Sequence, residues 1–362
     1  MQPAVETFLA FLRLGLTSFG GPVAHLGYFR REFVEHRGWM AEAEFADAVA
    51  LCQFLPGPTS SQVGFLVGLR RAGLVGGLAA WIGFAAPSAV ALGIAGCMLA
   101  GAPGGWWMRT LEIAAILAVA HALRGMTRGL ASTAARAALA AGVAFAVFAA
   151  ERASVEWRAF VQPAAIAAGA VIGSLAFRSQ AAREGGHPGR QAAVIAVPRA
   201  ASALAAMLLA GTLALTAFAA TLPPLAQAGA ACVRAGALVF GGGHVVLPLL
   251  QEPFATNGWL GGDRVVAGYA LAQAVPGPLF TMASYLGAAM QSGGGPIAAA
   301  VGAAFLTVAV FVPGMLLVVA VLPVWERLRA ARGARAALAG ANCAVIGILA
   351  AALADLVLRV IG

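Results

Sequence analysis

Gln53-Phe54-Leu55-Pro56-Gly57-Pro58 returns 220 positions later as Gln273-Ala274-Val275-Pro276-Gly277-Pro278. The flanks repeat in the same order. Gly38-Trp39 returns as Gly258-Trp259 at the same offset, and Phe19-Gly20-Gly21 as Phe240-Gly241-Gly242 one residue out of phase. Arg13 pairs with Arg234 at the shifted offset, and Pro87 and Pro313 each sit within a long apolar run. His25 and His244 follow the two glycine runs, though not at equivalent positions. Landmarks shared in one order identify an internal duplication. Its copies run over roughly 6–129 and 227–358. Residues 1–134 then make a first repeat domain, 135–226 a linking segment and 227–362 a second repeat domain.

Composition says where such a duplication lives. The chain has 362 residues, of which 61% are hydrophobic and 10% charged, with a mean hydropathy of +0.87. Soluble domains carry about 25% charged residues, so this chain cannot cover a water-facing surface. A cytosolic enzyme, a secreted disulfide scaffold and a disordered protein are excluded. The net charge of +9 is carried by arginine alone, because the chain contains no lysine. A phosphate loop ending in Gly-Lys and a Schiff-base lysine are therefore both absent. The basic excess reads as loop arginines, not as a nucleic-acid surface. Cys52, Cys97, Cys232 and Cys343 all lie in apolar runs without a Cys-x-x-Cys spacing, and read as small buried hydrophobes. The N-terminal stretch carries Glu6 and no basic region ahead of its apolar run, unlike a cleaved signal peptide.

A membrane-crossing helix needs about 20 apolar residues. Segments 74–99, 108–129, 160–177, 200–221, 297–322 and 336–358 meet or approach that length, and the shorter 136–150 is expected to cross as well. Other apolar runs are half as long and broken by glycine or proline. Residues 45–55 and 59–69 flank Pro56-Gly57-Pro58, and 265–274 and 279–290 flank Pro276-Gly277-Pro278. Residues 7–19 and 23–33 flank Gly20-Gly21-Pro22, and 228–240 and 244–254 flank Gly241-Gly242-Gly243. Proline removes a helical hydrogen bond and clashes with the preceding turn. These runs are expected to form short helix pairs that enter the membrane and return, with 7–33 alternatively a single kinked span. Broken backbone at membrane depth survives only where protein buries it or a wet cavity lines it. Paired breaks in two repeats point to a transport site.

Arginine placement sets orientation. The loops around the first Pro-Gly-Pro pair hold Arg30, Arg31, Arg37, Arg70 and Arg71, and the matching loops of the second repeat only Arg264. The next loops reverse the bias: 101–108 lack arginine, while 327–335 hold Arg327, Arg329, Arg332 and Arg335. Three linking spans separate the repeats, and an odd number inverts them. The linker 178–199, with four arginines, is expected on the cytoplasmic side. The expected fold is an all-α integral membrane protein of two inverted-topology repeats with Gly/Pro-broken short helices.

Ionisable groups inside apolar helices are costly, about 2.5–3.5 kcal/mol for a central arginine. Arg13 and Arg234 each precede a glycine break by two helical turns. Helix N-termini at a break present free N–H groups to an anion, and arginine adds a planar fork suited to oxyanions. Carboxylates are scarce in these segments, so a small anion is favoured over a cation. The other reading of Arg13 is a side chain reaching the cytoplasmic interface. His25 and His244 either have a binding or proton role or satisfy backbone at the breaks, and Gln53 and Gln273 either line the site or brace the turns. Glu112 and His121 stand nine residues apart on one helix, on opposite faces, and form no pair, though each singly is a candidate proton carrier. Asn342 is expected to bond a neighbouring helix, and Trp106, Trp107 and Trp325 to anchor at interfaces. No HExxH, GxSxG or carboxylate cluster suggests an enzyme.

At Phe19-Gly20-Gly21-Pro22 with His25, at Gln53 to Gln62, at Phe240 to His244 and at Gln273 to Pro278, the chain resembles the chromate ion transporter family in its two-domain form. The resemblance covers both repeats. It implies oppositely oriented halves and a secondary transporter exporting chromate, a dianion shaped like sulfate, across the inner membrane. Site positions carried over are Gly20, Gly21, His25, Gln53, Pro56, Gly57 and Pro58, with Gly241, Gly242, Gly243, His244, Gln273, Pro276, Gly277 and Pro278. Arg13 and Arg234 join them from the reasoning above. A sulfate or other oxyanion carrier and an anion channel are the alternatives. No cofactor, metal or nucleic acid is expected. The partners are the oxyanion and the lipid bilayer, and a homodimer is compatible with the reading.

Overall fold

The computed structural model describes residues 2–101, 106–131, 133–153, 158–179, 197–240 and 245–361. Among them there is no strand. The helices are α1 (Pro3–Thr17), α2 (Gly21–Arg30), α3 (Glu42–Phe54), α4 (Thr59–Leu99), α5 (Trp106–Leu130), α6 (Ala134–Ala153), α7 (Arg158–Ala176) and α8 (Arg199–Ala217). They continue with α9 (Pro224–Leu238), α10 (Val246–Thr256), α11 (Gly262–Ala274), α12 (Met282–Gln291), α13 (Gly295–Val321), α14 (Trp325–Ala330) and α15 (Arg332–Ile361). Among the described residues, five stretches are long and apolar enough to cross a membrane: Thr59–Leu99, Trp106–Arg128, Arg199–Ala217, Leu279–Val324 and Arg332–Leu358. Ala134–Ala150 and Val161–Ala176 are shorter apolar helices. Of the spans expected from the sequence, 74–99, 108–129, 200–221, 297–322 and 336–358 fall on the crossing-length stretches, and 136–150 and 160–177 on the shorter helices. Their outer faces carry large apolar side chains in the open, with Val90 61%, Met98 74% and Ile297 82% exposed. Such a surface suits lipid and not water. The chain is an all-α, multi-pass membrane protein.

Two compact units emerge, each assembled from three stretches of chain. The first comprises Met1–Pro103, Gly189–Ala237 and Leu271–Pro323. Its helix ends follow local chemistry. Pro3 opens α1, where a missing N–H costs nothing. Gly20 and Gly21, at φ 97° and 75°, turn the chain into α2, a conformation that favours glycine. The Glu44 carboxylate accepts the Ala41 N–H at 3.0 Å and caps α3. Inside α4, Ala72 and Gly73 leave helical geometry (Gly73 φ 63°). This element therefore acts as two helices, and the second matches the 74–99 span read from the sequence.

Close packing in this unit rests on glycine. Gly15 of α1 faces the Phe84 carbonyl of α4, where a Cβ would sit 2.6 Å from the oxygen. Gly236 of α9 faces the Val310 carbonyl of α13 in the same way. Gly68 meets Gly76 across the bend of α4, and Gly287 of α12 meets Gly302 of α13. Membrane helices gain from such close approach, because dispersion and backbone contacts replace a hydrophobic drive that lipid does not supply.

The second unit comprises Gly104–Pro188, Leu238–Ala270 and Val324–Gly362. Its centre is α15. Gly340 packs against Gly169 and Gly173 of α7, and Gly347 against the Ala140 carbonyl of α6. Arg136 is buried with its guanidinium 5.7 Å from the Phe177 ring. Arg152 lies 3.7 Å over the Phe148 ring and 3.5 Å from the Asp355 carboxylate. Asn342 is buried on α15.

Candidate functional site

The two Pro-Gly-Pro turns lie in the first unit and are built alike. After α3 the chain is extended at Leu55, turns at Gly57 (φ 128°) and re-enters a helix at Thr59. After α11 it turns at Gly277 (φ 111°) and re-enters through a 3-10 turn at Leu279–Thr281. Pro58 and Pro278 are buried at the helix starts, and Pro56 and Pro276 are half-buried.

Each turn packs against the long helix of the other repeat, at the residue after that helix's internal proline. A Cβ on Gly57 would lie 3.1 Å from the Gly314 Cα, and Gly314 follows Pro313. A Cβ on Gly277 would lie 2.7 Å from the Ser88 hydroxyl, and Ser88 follows Pro87. The crossings are thus reciprocal in position. Their chemistry differs. At the first, Gln62 Nε2 donates to the Pro56 carbonyl at 2.9 Å and to the Gly314 carbonyl at 3.1 Å. At the second, the Thr281 hydroxyl donates to the Pro278 carbonyl at 2.6 Å and lies 3.1 Å from the Ser88 hydroxyl. One turn on, the Ser284 hydroxyl donates to the Ala89 carbonyl at 2.6 Å.

The first glycine break joins the second turn. The Gly277 N–H donates to the Ser18 carbonyl at 3.0 Å. His25 Nε2 lies 3.2 Å from the same carbonyl, and Nδ1 lies 3.3 Å from the Ser60 hydroxyl. With the proton on Nε2, the ring donates to Ser18 and accepts from Ser60, a neutral tautomer satisfied at both ends. His25 is buried, with its ring 5.1 Å from Phe84 and edge-on to it.

Gly20 is exposed and Gly21 half-buried, Gln53 is exposed and Gln273 half-buried. Gly241, Gly242, Gly243 and His244 lie outside the described residues. Arg234 is half-buried on α9, and its guanidinium donates to the Thr216 carbonyl at 3.2 Å. Arg13 is exposed on α1, with its charge felt by Glu32. Glu32 belongs to the arginine-rich connection after α2. Partial burial pushes its carboxyl up, and Arg37, His36 and Arg13 outweigh that and hold it below its ordinary value. Arg37 bonds Glu32 at 2.6 Å and Glu6 at 3.3 Å, and Arg71 bonds Glu6 at 3.0 Å. Both guanidiniums lie over Trp39, at 5.0 and 5.1 Å. This end of α1 is therefore tied to α4 by charge.

Gln62 holds the first turn, and sequence reasoning passed over it. The signal was the amide at the end of the quoted Gln53–Gln62 stretch, but Met282 stands at the matching place in the second repeat. A search by identity discards such a position. Ser60, Ser88 and Thr281 were missed for a related reason, since serine and threonine in apolar helices look like filler until their partners are known.

The chromate transporter family profile matches residues 5–174 and 226–362. A chromate transport protein of Pseudomonas aeruginosa is 30% identical over 97% of this chain and 80% of its own length. One of Cupriavidus metallidurans is 27% identical over 98% of this chain and 82% of its own length. An uncharacterized transporter of Methanocaldococcus jannaschii is 41% identical over 24% of this chain and 21% of its own length. No solved structure matches the chain. The family profile over both segments and the 30% identical Pseudomonas aeruginosa relative show that the chain belongs to the chromate transporter family.

Proposed function

We propose that the protein is a secondary carrier that exports chromate across the cytoplasmic membrane. Its two repeats face opposite ways, and the oxyanion passes where their breaks meet. The observation that carries this reading is the reciprocal packing of each Pro-Gly-Pro turn on the other repeat's long helix. Such an exchange is what a two-fold relation between halves produces, and repeats of this kind build transport sites at their interface. Backbone N–H groups at the helix starts after each turn supply donors without net charge. Arg13 and Arg234 supply the fixed positive charge, and no carboxylate is needed. His25 and the two turns shape the passage.

Energetics favour export. A dianion leaving a cell held about 100 mV inside-negative gains about 4.6 kcal/mol, equal to roughly three decades of concentration gradient. Potential alone can drive the cycle, with proton coupling optional. The test is uptake of labelled chromate by proteoliposomes carrying an imposed potential. Accumulation on the positive side, abolished when the potential is collapsed, is expected. Sulfate, molybdate and phosphate as competitors distinguish a chromate carrier from a general oxyanion carrier. Folded protein giving no potential-dependent flux would remove the reading.

Opposed repeats make a separate prediction. His36 and Asn257 are exposed in matching connections of the two repeats. The native cysteines give little background, since Cys52, Cys232 and Cys343 are buried and Cys97 partly so. His36→Cys and Asn257→Cys are expected to react with a membrane-impermeant maleimide from opposite sides. Labelling from one side by both would show the repeats to be parallel.

A further inference from the structure

The first crossing holds an amide that is only half satisfied. Gln62 is 0% exposed. Its Nε2 spans 252 positions of sequence to reach the Gly314 carbonyl while also bonding Pro56. Its Oε1 is buried without a hydrogen-bond partner among the described residues. Gly57 and Gly314 make the slot in which the amide lies. A Cβ on Gly57 would meet Nε2 at 2.6 Å, and one on Gly314 would meet it at 3.2 Å. An amide kept only as mechanical glue would be expected to satisfy its acceptor as well, because an unpaired buried acceptor is costly. Here two good donor bonds are set against one orphaned oxygen. That balance leaves a net hold weak enough to release.

The second crossing is clasped by hydroxyls and has no amide, with the Ser284 hydroxyl donating to the Ala89 carbonyl of the other repeat's long helix. Met282 stands where Gln62 stands in the first, and the contact is made by the Ser88 and Thr281 hydroxyls. Two joints reciprocal in position but unlike in chemistry, an amide at one and hydroxyls at the other, can open separately. We propose that Gln62 is a positioning residue for transport. In this state it clasps the first Pro-Gly-Pro turn to the second repeat's long helix, and it lets go as that turn moves. The proposal rests on the transport reading above. It assigns Gln62 to the moving joint and not to the oxyanion.

The test is potential-driven chromate flux in proteoliposomes, with Vmax and KM measured separately and normalised to folded protein. Gln62→Met copies the residue of the other repeat, keeps the length and removes both donors. Gln62→Asn keeps the amide but is one methylene too short to span both carbonyls. For each, Vmax is expected to fall at least about tenfold, the scale of losing two buried hydrogen bonds, with KM for chromate within about twofold of the parent. The melting temperature in detergent should change much less than for a substitution at Gly57. Normal Vmax in Gln62→Met overturns the assignment. So does a large rise in KM, which would put Gln62 on the substrate, and so does failure of both variants to fold, which would make it structural only. Parent protein without any flux overturns the transport reading itself, and the Gln62 assignment with it. An active parent beside a normal variant removes Gln62 alone.

Discussion

Gly277→Ala is expected to abolish chromate transport and to lower the melting temperature in detergent sharply, and Gly57→Ala to do the same. Two costs combine at each position. Gly277 has φ 111° and Gly57 φ 128°, where an L-residue is held at a cost of about 1–3 kcal/mol. The new methyl also lacks room. At Gly277 it would lie 2.7 Å from the Ser88 hydroxyl and 3.1 Å from the Ser88 Cβ. Overpacking of that kind costs about 1–3 kcal/mol more. The costs can be separated, because Ser88 is the reciprocal of Gly314 and can be made glycine as well. Gly277→Ala with Ser88→Gly relieves the clash and leaves the backbone strain. Its melting temperature should lie between those of Gly277→Ala and the parent. No recovery would mean that backbone strain is the whole effect. Thermal unfolding followed by tryptophan fluorescence, alongside vesicle uptake, reads both quantities.

Much of this architecture was legible because its signals are local. Spans announce themselves by apolar length, breaks by Gly20-Gly21-Pro22 and Pro56-Gly57-Pro58, and the duplication by identities in one order at an offset of 220 or 221. The kink at Ala72–Gly73 was implied by splitting 59–69 from 74–99. What stayed hidden is pairing that follows no offset. Gly57 meets Gly314, and Gly277 meets Ser88. Neither contact joins equivalent positions, so self-comparison cannot find it. Only after the crossings are seen does the matching of Pro87 with Pro313 acquire a meaning, as the helix point just before each contact. The bond from the Gly277 N–H to the Ser18 carbonyl was hidden for a different reason. Backbone partners leave no trace in residue type, and serine next to a glycine break has many uses.

Arginine placement shows how far sequence pairing can be trusted. Arg13 and Arg234 occupy matching positions two turns before a glycine break, yet their surroundings differ. Arg234 is half-buried and bonds the Thr216 carbonyl, while Arg13 is exposed near Glu32. Arg234→Gln is expected to cut potential-driven flux by about ten- to a hundredfold at unchanged protein level. That is the scale of losing a charge-assisted hydrogen bond to the oxyanion, about 1.5–3 kcal/mol. Arg234→Lys should recover part of the flux, since it restores charge without the planar fork. Arg13→Gln should also lower flux if the two halves share the anion. Measured side by side, the variants decide how the charge is divided. Equal losses place both guanidiniums on the path. A loss confined to Arg234 makes Arg13 an interfacial anchor near Glu32. Normal flux in both would remove arginine from the mechanism, leaving the backbone N–H groups at the two turns as the donors to the anion.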